Sequence, residues 1–117
     1  GALIMTVETD EQEVHIPSQA FDPAFVQKLD SFVLLLGEKT GEDVETFLFS
    51  KEFPGEVRVR TRHGFLLYLD RDDDFGKVIS ILRVFLEKEI GDKRGRLEYI
   101  DLRFGNKVFY KLQGGAK

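Results

Sequence analysis

The sequence predicts an α+β fold: a mostly antiparallel sheet with two helices packed on one face, in the order ββ-α-βββ-α-ββ. Two segments carry apolar residues at helical spacing, which predicts two amphipathic helices. The other apolar segments are short and are separated by turns that contain glycine or proline, a pattern typical of hairpin-joined strands. The length of 117 residues, of which 42% are hydrophobic and 32% charged, suits one core. We therefore interpret residues 1–117 as a single domain.

The first 21 residues are predicted to form an acidic opening hairpin. An apolar strand, a polar turn at residues 9–12 and a second short strand before Pro17 account for residues 3–16. We interpret the acidic side chains as a solvated loop, and a site for a metal ion or a cationic partner is the alternative. These acidic residues are Glu8, Asp10, Glu11 and Glu13.

The first predicted helix begins after Asp22, whose carboxylate can accept from a free backbone N–H, and Pro23 suits its first position. Gly37 is predicted to end this helix. The apolar residues that define its buried face are Phe25, Leu29, Phe32, Val33 and Leu36.

Three strands are predicted in the middle of the chain, at residues 44–50, 56–61 and 65–70, the last two joined around Gly64. In the second of them, valines at 57 and 59 alternate with arginines, so one face is buried and the other is basic. The arginines either pair with carboxylates on neighbouring strands or bind an acidic partner segment. They are Arg58, Arg60 and Arg62.

The second predicted helix has the strongest helical pattern, a wide apolar stripe over residues 75–90 that Gly91 ends. Asp72, Asp73 and Asp74 precede it. Carboxylates at a helix start satisfy free N–H groups and the helix dipole, and a cation site is the alternative interpretation.

The chain is predicted to end in a hairpin of residues 97–104 and 107–112, joined by Gly105 and Asn106 in a type II′ turn. A two-residue turn predicts that Phe104 faces Lys107, that residue 102 faces residue 109, and that residue 101 faces residue 110. If the last strand lies at a sheet edge, its backbone can pair with a strand of another chain. Lys107 and Lys111 are alternatively guards against such pairing.

Several classes of function are disfavoured by composition and motifs. A net charge of −4 argues against a nucleic-acid binder, and the absence of cysteine excludes disulfides and thiolate chemistry. His15 and His63 have no partners at metal-ligand spacing, and no nucleophile elbow or phosphate-binding loop is present. The longest apolar runs are far shorter than the ~20 residues of a membrane span. We predict no catalytic residue, no metal ligand, no cofactor and no small-molecule substrate.

The terminal hairpin carries a family resemblance. The sequence YIDLRF at residues 99–104, a tight turn and VFYK at 108–111 resemble the closing hairpin of the bacterial cell-division proteins FtsQ/DivIB. That family typically ends its β-domain with Y-[IV]-D-L-R-[FY]. The order of strands and the amphipathic helix upstream is also similar, so the resemblance covers residues 22–112. A basic contact that the family places near its mid-domain hairpin has no counterpart around Gly55.

The resemblance implies a non-enzymatic divisome scaffold domain on the outer side of the bacterial cytoplasmic membrane, at the division septum. Family members carry a transmembrane helix and a POTRA domain before the β-domain, so this chain resembles an excised fragment of a membrane-anchored protein. They bind the small coiled-coil proteins FtsB/DivIC and FtsL and help to control septal peptidoglycan synthesis. The partner adds as a strand beside the terminal strand. Carried over residue by residue, the partner-binding positions are Phe104, Val108, Phe109, Tyr110 and Lys111.

Two other hypotheses compete with the scaffold. One is a small cation-binding or hydrolytic domain that uses Asp72, Asp73 and Asp74. The other is a structural domain whose terminal strand pairs with itself. Residues 113–117 are predicted to be a flexible tail.

Overall fold

The computed structural model describes residues 3–9 and 12–114, which form two helices and seven strands. All seven strands lie in one sheet. In chain order the elements are β1 (Met5–Glu8), β2 (Glu13–Ile16), α1 (Pro23–Thr40), β3 (Val44–Ser50), β4 (Glu56–Thr61), β5 (Leu66–Asp70), α2 (Phe75–Phe85), β6 (Leu97–Phe104) and β7 (Lys107–Leu112).

The sheet is mixed, and its strand order is β2-β1-β3-β4-β5-β6-β7. Hairpin neighbours pair antiparallel, but β1 pairs parallel with β3, and β5 pairs parallel with β6. The prediction of an α+β fold with two helices is confirmed, whereas the prediction of a mostly antiparallel sheet missed these parallel pairs. The physical reason for the second pair is that α2 carries the chain back across the sheet, so β6 starts at the same end as β5.

The order of elements also differs from the prediction, because three short helical segments are added. A 3₁₀ turn precedes α1, and a π-helical turn followed by a 3₁₀ segment extends α2. These segments are Ser18–Ala20, Leu86–Ile90 and Gly91–Arg96.

Both helices pack on one face of the sheet and share a single apolar core with it. Alternate residues of the strands enter this core, as the valine–arginine alternation of β4 predicted. The other face of the sheet, which we call the open face, carries the side chains in between. Core residues contributed by the central strands include Phe47, Val57, Val59, Leu67, Leu69 and Ile100.

Helix α1 begins as predicted and ends later than predicted. Asp22 Oδ2 accepts from the backbone N–H of Phe25 at 3.1 Å, and Pro23 occupies the first turn. The helix continues through Gly37 to Thr40 and is capped by Gly41, whose φ of 78° is left-handed and therefore favours glycine. The prediction that Gly37 ends the helix is wrong.

The β6–β7 hairpin has the predicted two-residue loop but a different register. Phe104 faces Lys107, and Gly105 has a positive φ of 64°, as primed two-residue turns with glycine first require. The register then shifts between Asp101 and Phe104, so Asp101 faces Phe109 and residue 100 faces residue 110. The two pairs predicted beyond the turn are wrong by one residue, because the sequence pattern carries no sign of this irregularity.

In the part of the chain that the structure describes, no helix combines the length and the apolar composition that a membrane crossing requires. Of the predicted tail, the side-chain amide of Gln113 donates to the carbonyl of Leu97 at 3.4 Å. Residues 115–117 lie outside the described residues, as do Asp10 and Glu11 of the predicted acidic loop.

Candidate functional site

Strand β7 lies at one edge of the sheet. It pairs with β6 on one side, and no strand among residues 3–9 and 12–114 pairs with its other side. Such an edge leaves a row of backbone N–H and C=O groups without partners in the sheet. The sequence-predicted binding strand is therefore an edge strand of six residues, whereas the opposite edge strand, β2, has four.

The side chains of β7 divide between the two faces of the sheet. Val108 packs against the core on the helix face, and the ring of Tyr110 contacts Phe85 edge-to-face at 5.1 Å between centroids. Phe109 faces Asp101 across the hairpin and lies on the open face. The edge therefore presents aromatic side chains on both faces.

Phe104 and Phe109 form an aromatic pair on the open face beside this edge. Their rings meet edge-to-face, with centroids 5.5 Å apart and an angle of 89° between ring planes. Their side chains are 52% and 51% exposed. With Tyr99 and Lys107 they line an open groove of about 500 Å³. Exposed aromatic residues of this kind are typical anchors of protein–protein interfaces.

Two lysines bracket the aromatic pair along β7. Lys107 is exposed and forms no ion pair with any residue that the structure describes. Lys111 Nζ lies 3.7 Å from Glu98 Oε2, and both side chains are about half exposed, so this ion pair contributes little. The strand therefore offers an apolar centre flanked by positive charge.

Arg103 and Asp101 lie beside the aromatic pair and were missed as site residues from the sequence. The Arg103 guanidinium donates to both carboxylate oxygens of the buried Asp101, at 2.9 and 2.6 Å. Hydrogen bonding to Asp101 raises the pKa of Arg103 above its already high ordinary value. The available sequence signal was an acidic and a basic residue two positions apart on one strand, which places both on one face.

The rest of the open face is an ion-paired half, formed by Glu8, Glu13, Glu45, Arg58 and Arg60. Arg58 pairs with Glu8 on β1, and Arg60 Nη2 lies 2.6 Å from Glu13 Oε2 on β2. The hydrogen bond from Arg60 lowers the pKa of Glu13 below its ordinary value of 4.5. Of the two interpretations of the basic strand face, pairing with neighbouring carboxylates therefore holds for these two arginines. Arg62 lies beyond β4 and is exposed.

The three consecutive aspartates form the start of α2. Asp74 Oδ1 accepts from the backbone N–H groups of Gly76 at 3.0 Å and Lys77 at 3.4 Å, which is the predicted capping role. Burial, and then the charges of Asp70 and Asp72, raise the pKa of Asp73. Within residues 3–9 and 12–114, no three acidic or histidine side chains converge in a way that could hold a metal ion.

A buried carboxylate at the other end of the sheet was not anticipated from the sequence. Glu42 is fully buried; its Oε2 accepts from Arg94 Nη1 at 2.9 Å, and its Oε1 lies 2.7 Å from His63 Nδ1. His63 is thus an exposed residue with a buried partner. The arrangement joins the end of α1, the β4–β5 turn and the segment after α2, and it satisfies a charge that would be costly alone.

Comparisons with known proteins do not assign the chain to a family. The chain matches no protein-family model and no curated protein sequence.

Proposed function

We propose that this domain is a non-enzymatic scaffold that binds a partner protein by strand addition to β7. The observation that carries the proposal is a free six-residue sheet edge bordered by three exposed aromatic residues. These residues are Phe104, Phe109 and Tyr110. The opposite edge strand, β2, has only four residues and no phenylalanine or tyrosine, so it offers a shorter edge without such anchors.

In strand addition, the backbone and the side chains of the edge strand make different contributions to binding. The free N–H and C=O groups of β7 supply hydrogen bonds to any extended segment, and side chains on the two faces select among segments. Phe109 on one face and Tyr110 on the other would each be covered by a side chain of the added strand. Lys107 and Lys111 favour a segment with acidic residues at the ends of the contact.

The partner class follows from the resemblance of residues 99–111 to the FtsQ/DivIB closing hairpin. We infer that the partner is a small coiled-coil division protein of the FtsB/DivIC or FtsL type. The domain would then act on the outer side of the bacterial cytoplasmic membrane and help to control septal peptidoglycan synthesis. The aromatic residues of β7 and its position at the sheet edge support strand addition. The partner class, the location and the septal role rest on the resemblance alone.

A pull-down from a bacterial membrane extract, with the domain as bait, tests the proposal. The domain should capture a small coiled-coil division protein, and Phe109→Ala/Tyr110→Ala should reduce the recovery at least tenfold. The matched control is Val14→Ala on the opposite edge strand together with Leu34→Ala on α1, because Val14 and Leu34 are exposed by 40% and 76%. This control should leave the recovery unchanged. Equal recovery by all three baits would exclude β7 as the site.

Charge reversal at the ends of β7 tests the expected chemistry of the partner. Lys107→Glu/Lys111→Glu should weaken capture and should make the remaining capture less sensitive to salt, because the favourable charge contacts are gone. Glu38→Lys changes an exposed charge on α1, outside the β6–β7 hairpin, and serves as the control. Unchanged capture at low salt would exclude an acidic partner.

Self-pairing of β7 is a second use of the same edge. An antiparallel pair of β7 strands centred on Phe109 would bring Lys107 of each copy opposite Lys111 of the other, and like charges directly opposite are destabilising. We therefore expect a monomer at micromolar concentration by sedimentation. A concentration-dependent dimer that Phe109→Ala abolishes would favour self-pairing over scaffold function.

A further inference from the structure

The end of β6 places a phenylalanine on the face opposite to the one that simple alternation assigns. Successive side chains of a strand point to opposite faces, so residues 101 and 104, three apart, should lie on different faces. Asp101 lies on the open face, where it faces Phe109. Phe104 nevertheless packs its ring against Phe109 and therefore shares that face.

An extra residue in β6 accounts for this change of face. Three steps along β6, from Asp101 to Phe104, match two steps along β7, from Phe109 to Lys107. Two residues of one strand thus oppose one residue of the other, which is the defining property of a β-bulge. The bulge brings Phe104 to the open face and creates the aromatic pair.

Asp101 and Arg103 hold the backbone at this bulge, and we call their contacts the bulge clamp. Asp101 Oδ1 accepts from the backbone N–H of Arg103 at 3.1 Å and from its Nε at 2.9 Å, while Oδ2 accepts from Nη2 at 2.6 Å. One carboxylate therefore binds both the backbone and the guanidinium of the same residue. Charge-assisted hydrogen bonds of this bidentate kind are stronger and more directional than neutral ones.

Further contacts tie the bulge clamp to the sheet and to the aromatic pair. Arg103 Nη1 donates to Glu56 Oε1 on β4 at 2.8 Å, which spans β5. The guanidinium carbon lies 5.4 Å from the ring centroid of Tyr68 and 5.3 Å from that of Phe104. Arg103 thus contacts the ring of Phe104 directly, in addition to its effect on the backbone.

We propose that Asp101 and Arg103 are positioning residues for the binding edge: they fix the bulge that turns Phe104 onto the open face beside Phe109. The inference rests on the proposed function of β7, because the aromatic pair is its anchor on that face. Without the clamp, β6 would relax towards regular alternation, and Phe104 would leave the anchor. The backbone edge of β7 would remain, but without the pair of Phe104 and Phe109 beside it.

Arg58 provides a matched control for a merely stabilising role. Its guanidinium also pairs with two carboxylates, those of Glu8 and Glu56, and lies 5.8 Å from the Tyr68 ring centroid. It shares Glu56 and Tyr68 with Arg103, but none of its ion pairs and ring contacts among the described residues involves Asp101, Arg103 or Phe104. Arg58→Lys should therefore disturb the same face without moving Phe104.

The first test compares Arg103→Lys, Asp101→Asn and Arg58→Lys in the full chain by the nuclear Overhauser effect between the rings of Phe104 and Phe109. We expect the cross-peak to fall at least threefold in both clamp variants and to persist in Arg58→Lys. Asp101→Asn keeps the side-chain shape but removes the negative charge and the oxygen that accepts from Nη2, so it carries the test if Arg103→Lys does not fold. An intact cross-peak in a folded clamp variant, or equal loss in Arg58→Lys, would overturn the positioning role.

The second test separates this inference from the proposed function. Capture of the division protein from membrane extract should fall at least fivefold in the clamp variants and less than twofold in Arg58→Lys. Clamp variants that lose the ring contact but capture the partner fully would overturn the inference and leave the β7 site standing. If Phe109→Ala/Tyr110→Ala also captures the partner fully, the proposal of strand addition at β7 is wrong. The nuclear Overhauser effect between the two rings still tests whether the clamp positions Phe104.

Discussion

The two halves of the open face are built from the same kinds of residue but use them differently. In the ion-paired half, over β1 to β4, each arginine on β4 contacts carboxylates on other strands. In the aromatic half, over β5 to β7, Tyr68 and Tyr99 stack at 5.3 Å and the outer pair, Phe104 and Phe109, remains half exposed. A row of arginines is therefore not by itself a binding surface, whereas aromatic residues beside a free edge are available to a partner.

The largest expected effect is on a buried hydrogen bond within the ion-paired half. Thr46 Oγ1 lies 2.7 Å from Thr6 Oγ1, and both residues are buried. Thr46→Val should destabilise the fold by about 2 kcal/mol, because it leaves the Thr6 hydroxyl buried without its partner. Urea denaturation measures this change.

The double variant Thr6→Val/Thr46→Val is the control for this prediction. Replacing both hydroxyls by methyl groups removes the unsatisfied group, so the double variant should recover a large part of the lost stability. Additive losses in the two single variants and the double variant would show that the hydroxyls do not interact.

A smaller effect is expected from the arginine of the same half. Arg60→Ala removes the contacts with Glu13 and Glu45, at 2.6 and 3.5 Å, and the packing of the arginine stem. We expect a loss of about 1 kcal/mol, since these side chains are partly exposed. Partner capture should not change. A clear loss of capture would contradict the claim that only the aromatic half binds the partner.

The Glu13–Arg60 pair should also appear in the dependence of stability on pH. The pKa of Glu13 is lowered in the folded protein, so its contribution is complete above the ordinary value of 4.5 and is lost as the pH falls through the folded value. The stability difference between the unmodified chain and Arg60→Ala should therefore shrink below about pH 4.5. Melting temperatures at pH 7 and pH 3 measure it, and a constant difference would contradict the assignment.

The smallest effect on stability is expected in the aromatic half. Phe104→Ser should cost about 0.5 kcal/mol, because the side chain is half exposed and loses one edge-to-face contact. The same change should reduce partner capture. A large loss of stability would mean that Phe104 belongs to the structural core and not to a free surface.

The sequence was sufficient for the elements that local signals determine. The N-cap at Asp22, the alternation of β4 and the limits of β3, β6 and β7 all follow from side-chain type and spacing. Val108, Phe109, Tyr110 and Lys111 lie on an edge strand, as the binding hypothesis requires. That these residues bind a partner stays a prediction.

Long-range features were beyond the sequence pattern. The parallel pairing of β1 with β3 joins residues about 40 positions apart, and no local signal specifies it. Arg103, at the bulge between Asp101 and Phe104, binds Glu56, which lies 47 residues away in the sequence. The burial of Glu42 likewise depends on Arg94, 52 residues away. In each case the missing information was a contact between segments.

The buried Glu42 has a consequence for how the domain opens. Its carboxylate is held by the segment after α2 and by the β4–β5 turn. If either segment moves away, the buried carboxylate loses one of its two partners, which is energetically costly. Three connections at that end of the sheet should therefore open as one cooperative unit in amide hydrogen exchange, with similar protection in residues 40–43, 62–64 and 91–96. At the opposite end, no hydrogen bond among the described residues joins Gly105 or Asn106 to another turn, so the β6–β7 turn should exchange by itself.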